Sequence, residues 1–333
     1  MVHIHIPENW RLPESAATEE ADYLSRRELL VRMGMGLGAS SLLGLTGCSS
    51  EVNPGDPFAP RDIPPGGRAE LAPGAPLWAD VNPRYRSCER KLSREELVLR
   101  FNNFYEFSLD KEEVWKLAHR LETQPWSVEI AGLVDEPRTL DLDDLEKLVP
   151  AEERVYRFRC VEAWAMTVPW IGLPLGALID KLGVQDKARY VRFHTFMRPS
   201  QAPNQNLESG YAWPYYEALT IEEARNELSL LAIGLYGKRL SRQNGAPIRL
   251  VVPWKYGLKN IKSIVRIEFV EERPPTFWNA IAPDEYSWHS NVDPSVPHVR
   301  WSQASEKLLG SGIRVPTRPY NGYGEQVAGI YRS

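Results

Sequence analysis

The chain has 333 residues, 43% of them hydrophobic and 25% charged, and a formal net charge of -4 at pH 7. That is ample apolar material for a core, in one large domain or two small ones, and no long basic run forms the clustered positive surface that nucleic acid requires. Eleven tryptophans and 27 prolines favour a loop-rich and strand-rich body over a helical bundle.

The first element in chain order is an address. Arg26-Arg27 precede the apolar, glycine-rich run from Met33 to Gly47, which is the pattern of a bacterial twin-arginine export signal. The run spans 15 residues, short of the roughly 20 that a bilayer-spanning helix needs. Leu45-Thr46-Gly47-Cys48 then matches a bacterial lipobox, which makes Cys48 a candidate lipid anchor on the exported protein. Residues 1–48 are therefore expected to be export signal, and 49–91, rich in proline and glycine, a linker or arm. Residues 92–333 are expected to fold as one domain.

Within that domain, strands are predicted where apolar and polar residues alternate, at Trp126–Gly132, Arg189–Phe196 and Ile261–Val270. Pro247–Pro253 reads as a shorter, more apolar strand. Brief helices are predicted at Leu142–Leu148, Leu175–Leu182 and Thr220–Asn226. The fold class is α+β, with mixed β-sheets and short helices. Neither a GxGxxG after a strand nor a phosphate-binding P-loop is present.

The chemistry concentrates in "RVYRFRCVEAWAMTVPW", Arg154 to Trp170, around Cys160. Four readings are open for that sulfur. It is a packing thiol, half of a disulfide with Cys88, a nucleophile paired with one of His119, His194, His289 and His298, or a metal ligand. Arg157 and Arg159 are expected to lower the thiol's pKa if the loop folds back on them, and a thiolate is the donor that thiophilic metals select.

The same stretch strongly resembles the molybdenum-ligating cysteine loop of the sulfite-oxidase superfamily, and more closely the periplasmic protein-methionine-sulfoxide reductase catalytic subunits. Further blocks carry the resemblance in order: "FNNFYEFSLDK", "QNGAPIRLVVPWKYGLKNIKSI", "ERPPTFWNAIAPDEY", "RWSQASEK" and "NGYGEQVAGIYR". The resemblance implies a sulfite-oxidase-type molybdopterin-binding domain and a Mo-molybdopterin cofactor, one molybdenum on a pyranopterin dithiolene. Cys160 is implied as the catalytic sulfur ligand to the metal. Asn102, Tyr105, Glu106, Thr195, Asn244, Arg249, Asn260, Ile261 and Lys262 are implied as the remaining cofactor contacts. Asn260 stands where relatives are expected to have glycine.

The implied activity is reduction of methionine sulfoxide in oxidised periplasmic proteins. No CxxCH haem motif is present, so electrons are expected from outside the chain, and the resemblance implies a membrane haem-binding donor subunit of the MsrQ type. Oxidation of sulfite or a related small anion is the alternative within the superfamily. A non-catalytic exported lipoprotein is a second alternative, one that leaves Cys160 without a purpose. The pocket is expected to be walled by Trp164, Met166, Trp170 and Trp213, which suit a neutral, bulky sulfoxide better than a small dianion.

Overall fold

Strands make up most of the regular structure in the computed structural model, which describes residues 74–206 and 210–332. All of these lie in one compact unit, Asn53–Ser333. Arg26, Arg27 and Cys48 fall outside the described residues. In chain order the strands are β1 (Asp80–Val81), β2 (Ser127–Gly132), β3 (Arg138–Asp141), β4 (Glu152–Arg159), β5 (Trp164–Pro174), β6 (Tyr190–Thr195) and β7 (Tyr216–Thr220). They continue with β8 (Leu230–Leu235), β9 (Lys238–Arg239), β10 (Arg249–Val251), β11 (Ile264–Val270), β12 (Ser305–Leu308) and β13 (Arg314–Pro316). The short helices are α1 (Glu95–Arg100), α2 (Val114–Leu117), α3 (Leu142–Leu148), α4 (Leu175–Lys181), α5 (Ile221–Arg225), α6 (Phe277–Ile281) and α7 (Gly324–Val327).

Two sheets form, each with parallel and antiparallel pairs. One runs β3-β2-β11-β6-β7. Its strands have one face on the core, so Val128 and Ile130 are buried on β2 while Ser127 and Glu129 are exposed. The other runs β1-β4-β5-β12-β13, with β8 pairing β5 and carrying β9 and β10. Here β5 is buried from Trp164 to Leu173. A strand covered on both faces reads as a continuous apolar run, and the sequence analysis accordingly assigned no strand there.

The four predicted strands all form, as do the three predicted helices. Helix α3 starts where the Asp141 carboxylate accepts from the Asp144 N–H at 2.8 Å. Helix α5 starts with a reciprocal capping box between Thr220 and Glu223. Boundaries move: β10 is confined to Arg249–Val251, and β11 begins at Ile264, because the preceding residues form a loop that passes through Ser263 at φ 49°.

Ordered packing begins ahead of Leu92. Leu77 N–H donates to Gly237 at 2.9 Å, β1 pairs in parallel with the start of β4, and Tyr85 is buried. Part of the segment read as linker or arm therefore lies on the body. Its proline and glycine content hid a two-residue strand.

Among the described residues three ion pairs are wholly buried: Arg159–Glu306 at 2.8 Å, Lys255–Glu223 at 2.6 Å and Lys259–Glu217 at 2.5 Å. Each joins segments far apart in sequence. Removing one partner of such a pair strands a charge in the interior, at a cost of about 3–5 kcal/mol.

Candidate active site

Cys160 opens the turn between β4 and β5, which pair in antiparallel register from Glu152–Gly172 to Arg159–Ala165. The reversal closes through Cys160 N–H to Trp164 O at 2.9 Å and Ala163 N–H to Cys160 O at 3.2 Å. Ala163 takes the left-handed conformation, φ 61°, which a side-chain-bearing residue adopts only where its surroundings enforce it. Lys307 N–H supplies part of that enforcement by donating to Ala163 O at 2.9 Å.

The sulfur itself has few partners. Asn103 Nδ2 donates to it at 3.4 Å and Glu162 N–H at 3.5 Å, while the Glu162 carboxylate lies 3.6 Å away. Although burial would raise the Glu162 carboxyl, Lys111, Asn103 and the Trp164 indole together hold it below the ordinary carboxylate value. Burial, and then that neighbouring charge, push the Cys160 thiol up to about 12.

This overturns the expectation that two arginines make the sulfur acidic. Arg157 turns away, to Asn321 O at 3.2 Å and Glu89 at 3.1 Å. Arg159 spends its guanidinium on Glu306, Gln303 and the Cys160 carbonyl, and its pull on the thiol is outweighed. A bound metal cation in place of the proton would favour the thiolate that burial disfavours.

Beyond the turn lies a second cluster. Arg249 is buried between the rings of Phe158 and Trp170, at 5.4 and 5.0 Å. It donates to the carbonyls of Asn244 at 2.9 Å and Asn260 at 3.0 Å, and burial alone lowers its pKa to about 9. Lys262 donates to Asn103 O at 2.7 Å and is also depressed, by burial first and then by Arg249. Glu106, fully buried, is raised by its own desolvation. Two cations thus share a water-poor region with one reluctant carboxyl.

The other predicted residues shape this region. Asn102 and Asn244 bond each other, with Asn244 Nδ2 donating to Asn102 Oδ1 at 3.0 Å, so their side chains fasten α1 to the 241–245 turn. Thr195 Oγ1 donates to Lys262 O at 2.8 Å. Asn260 sits at φ −93°, where no glycine is required, and its Oδ1 accepts from Val252 N–H at 2.7 Å. Ile261 is buried, and its carbonyl accepts from Leu250 N–H at 2.9 Å. Gly245 does need to be glycine: it has φ 97°, and a Cβ there would lie 2.7 Å from the Lys262 side chain.

The walls near the sulfur are aromatic. Tyr105 and Tyr286 both feel the Cys160 and Glu162 charges, and burial raises both, Tyr286 to about 12. Trp278 stands between them, with ring centroids 5.3 Å from Tyr105 and 5.2 Å from Tyr286. Tyr211 packs on Trp278 at 5.8 Å, and Trp213 stacks on Phe277. Of the predicted walls, Trp164 adjoins the sulfur through Glu162, and Trp213 belongs to this aromatic group. Met166 and Trp170 are core residues instead, because β5 is covered on both faces. Asn103, Glu162, Tyr211, Trp278 and Tyr286 were not predicted. All but Tyr211 stand inside the quoted sequence blocks, and Asn103 and Glu162 lie within two positions of residues that were.

Among the described residues Cys88 and Cys160 are both free, and no histidine bonds the Cys160 sulfur. Among the described residues no three His, Cys, Asp or Glu side chains converge as a metal site. A metal on Cys160 would find no ready-made set of further side-chain ligands among the described residues. The residues present fit a molybdopterin: one soft donor, two buried cations for an anionic group, and a buried Asn103 Oδ1 that lacks any donor.

A protein-family model described as oxidoreductase molybdopterin binding domain matches residues 116–278. The protein-methionine-sulfoxide reductase catalytic subunit MsrP of Xanthomonas axonopodis pv. citri is 44% identical over 326 residues, covering 96% of this chain and 95% of that protein. The protein of the same name from Xanthomonas campestris pv. campestris is 44% identical over 327 residues, with the same coverage. Among solved structures, the sulfane dehydrogenase SoxCD from Paracoccus pantotrophus aligns with a TM-score of 0.46 at 14% identity, over 82% of this chain and 67% of that one. Near-complete coverage at 44% identity decides the matter: the chain belongs to the MsrP family of molybdopterin-binding oxidoreductases.

Proposed function

We propose that this chain is a periplasmic molybdoenzyme that reduces methionine sulfoxide in oxidised proteins, with electrons from a membrane haem-binding subunit. The observation that carries the reading is the Cys160 sulfur, held in a rigid turn beside an aromatic wall, with unspent positive charge in the region behind it. Cys160 would hold the metal. Arg249 and Lys262 would meet the cofactor's anionic groups, and Tyr105 and Glu106 its ring. Asn102, Thr195, Asn244, Asn260 and Ile261 would shape the loops around it. When bound, the molybdenum group supplies the oxygen-accepting, two-electron chemistry.

Overall, a sulfoxide takes two electrons and two protons and leaves as a thioether and water. The chain's own share is to bind the neutral substrate on aromatic surface and to exclude bulk water. Tyr105 and Tyr286 keep their phenolic protons through the physiological range, so they present neutral donors to a sulfoxide oxygen. Sulfite is disfavoured by the same surface. Arg300, the cation nearest Tyr286, is already paired with Glu285 at 2.6 Å, and the ionised Glu162 repels a dianion.

The test expresses the full chain and assays the periplasmic fraction for molybdenum and for oxidation of a reduced viologen. Free and protein-bound methionine sulfoxide should both be turned over, with the higher kcat/KM on oxidised proteins, where extra contacts add binding energy. Replacing both Arg26 and Arg27 by lysine should confine the loaded enzyme to the cytoplasm. Sulfite oxidation without sulfoxide reduction would overturn the activity, and undiminished periplasmic enzyme from the lysine variant would overturn the export route.

A further inference from the structure

The block "RWSQASEK", Arg300 to Lys307, lies 140 to 147 positions from the Cys160 turn, yet three of its side chains end on that turn or on Arg159 at its entrance. Trp301 Nε1 and Gln303 Nε2 both donate to the Val161 carbonyl at 2.7 Å. Gln303 Oε1 accepts from Arg159 Nη2 at 2.8 Å, and Glu306 accepts from Arg159 Nε at 2.8 Å. Thus held, Arg159 donates from Nη1 to the Cys160 carbonyl. Gln303 is the one side chain that touches both arms of this clamp, Arg159 before the cysteine and Val161 after it.

The clamp matters because the sulfur cannot place itself. Its own contacts are long and weak, at 3.4 to 3.6 Å. The backbone of residue 160 sets the Cα–Cβ direction, and with it the few staggered positions the sulfur can take. Three side-chain donors on two successive carbonyls leave those peptide planes little freedom. Trp301 is in turn stacked on His298 at 3.9 Å, 9° from parallel, so its indole is not free to swing away.

We propose that Gln303 is a positioning residue for Cys160, tying Arg159 to the Val161 carbonyl and so aiming the sulfur at the metal. This rests on Cys160 being the metal ligand. Groups that orient a ligand, without touching the metal, are commonly worth about 10–100-fold in metal affinity or activity.

The experiment uses full-length holoenzyme, wild type and variants, with molybdenum content measured first. Gln303→Leu should lower kcat per bound molybdenum about 10–100-fold while KM for free methionine sulfoxide stays within about twofold. It should also alter the electron paramagnetic resonance signal of the half-reduced metal. Gln303→Glu keeps an acceptor for Arg159 but has no N–H for Val161, and should show the same spectral change. Trp301→Phe removes one of two donors from that carbonyl and should move the signal less, in the same direction. Variants with wild-type signal and wild-type kcat per metal, and only a lower melting temperature, would make Gln303 merely structural and overturn the proposal. If Gln303→Leu does not fold, an unchanged signal in the other two variants has the same force. Wild-type protein without molybdenum would instead defeat the functional reading, a distinct failure.

Discussion

Cys160 gets its place from its backbone and its chemistry from its surroundings. Burial and the Glu162 carboxylate hold the thiol protonated up to about pH 12, so nothing in the bare protein prepares it as a nucleophile. On the proposed reading, a metal cation would supply what the protein withholds. Cys160→Ser should keep the hairpin, whose closing bonds are all main-chain, and keep the pterin pocket. It should nonetheless lose essentially all turnover, because a hydroxyl is a harder and far less acidic donor than a thiol. Sulfoxide-dependent viologen oxidation measured per bound pterin is the check. Wild-type rates in the serine variant would remove Cys160 from the metal.

At the scale of elements, β10 and the loop that follows it place Arg249 and Lys262 in one region without enough negative charge to balance them. Such an arrangement costs stability in the bare protein and is recovered when an anion binds. Arg249→Met keeps the stacking between Phe158 and Trp170 but removes the charge. The cofactor-free variant should melt no lower than cofactor-free wild type, while its cofactor affinity should fall by about tenfold or more, the worth of a charge-assisted hydrogen bond. Calorimetry of the bare chain and pterin analysis of the loaded one separate the two effects. Equal pterin content at limiting supply would show that Arg249 does not face the cofactor.

Elements also divide into those legible in the sequence and those not. Strands β2, β6 and β11 carry one face on the core, and their alternation exposes them to a reader of the chain. Strand β5 has no polar face and offers no period to read. The site shows the same division. Cys160 and the residues proposed to contact the cofactor lie in short contiguous blocks, so they could be named from the chain alone. The orientation of Arg157 and Arg159 was not, because it is decided by Glu89, Glu306 and Gln303, which only the folded chain brings near. Asn103 and Glu162 were missed for a related reason: beside a predicted residue, nothing local says which neighbour turns toward the sulfur.

For the molecule as a whole, one wholly buried ion pair, Lys255–Glu223, sets a response to acid. Glu223 holds Lys255 at 2.6 Å, accepts from Tyr331 Oη at 2.7 Å and lies 3.1 Å from the His289 ring. Against the desolvation that opposes it, this company lowers the Glu223 carboxyl far below its ordinary value of 4.5. Since the folded value lies below the unfolded one, the stabilisation is complete above about pH 4.5 and is lost progressively as pH falls toward the folded value. Melting temperature should therefore drop steeply below about pH 4.5, and Glu223→Gln should lower it at neutral pH while flattening that acid limb. An acid limb of unchanged steepness in the variant would assign the loss to other carboxylates.

The clamp on the Cys160 turn also has a meaning in time. Gln303 lies 142 residues downstream of the carbonyl it holds, and at about 5–20 residues per second a ribosome takes roughly 7–30 s to reach it. Through that interval the hairpin exists without the side chains that aim its sulfur. A chain broken off before Trp301 would carry the residues of both central strands and the turn, but none of the three side chains that clamp residues 159–161.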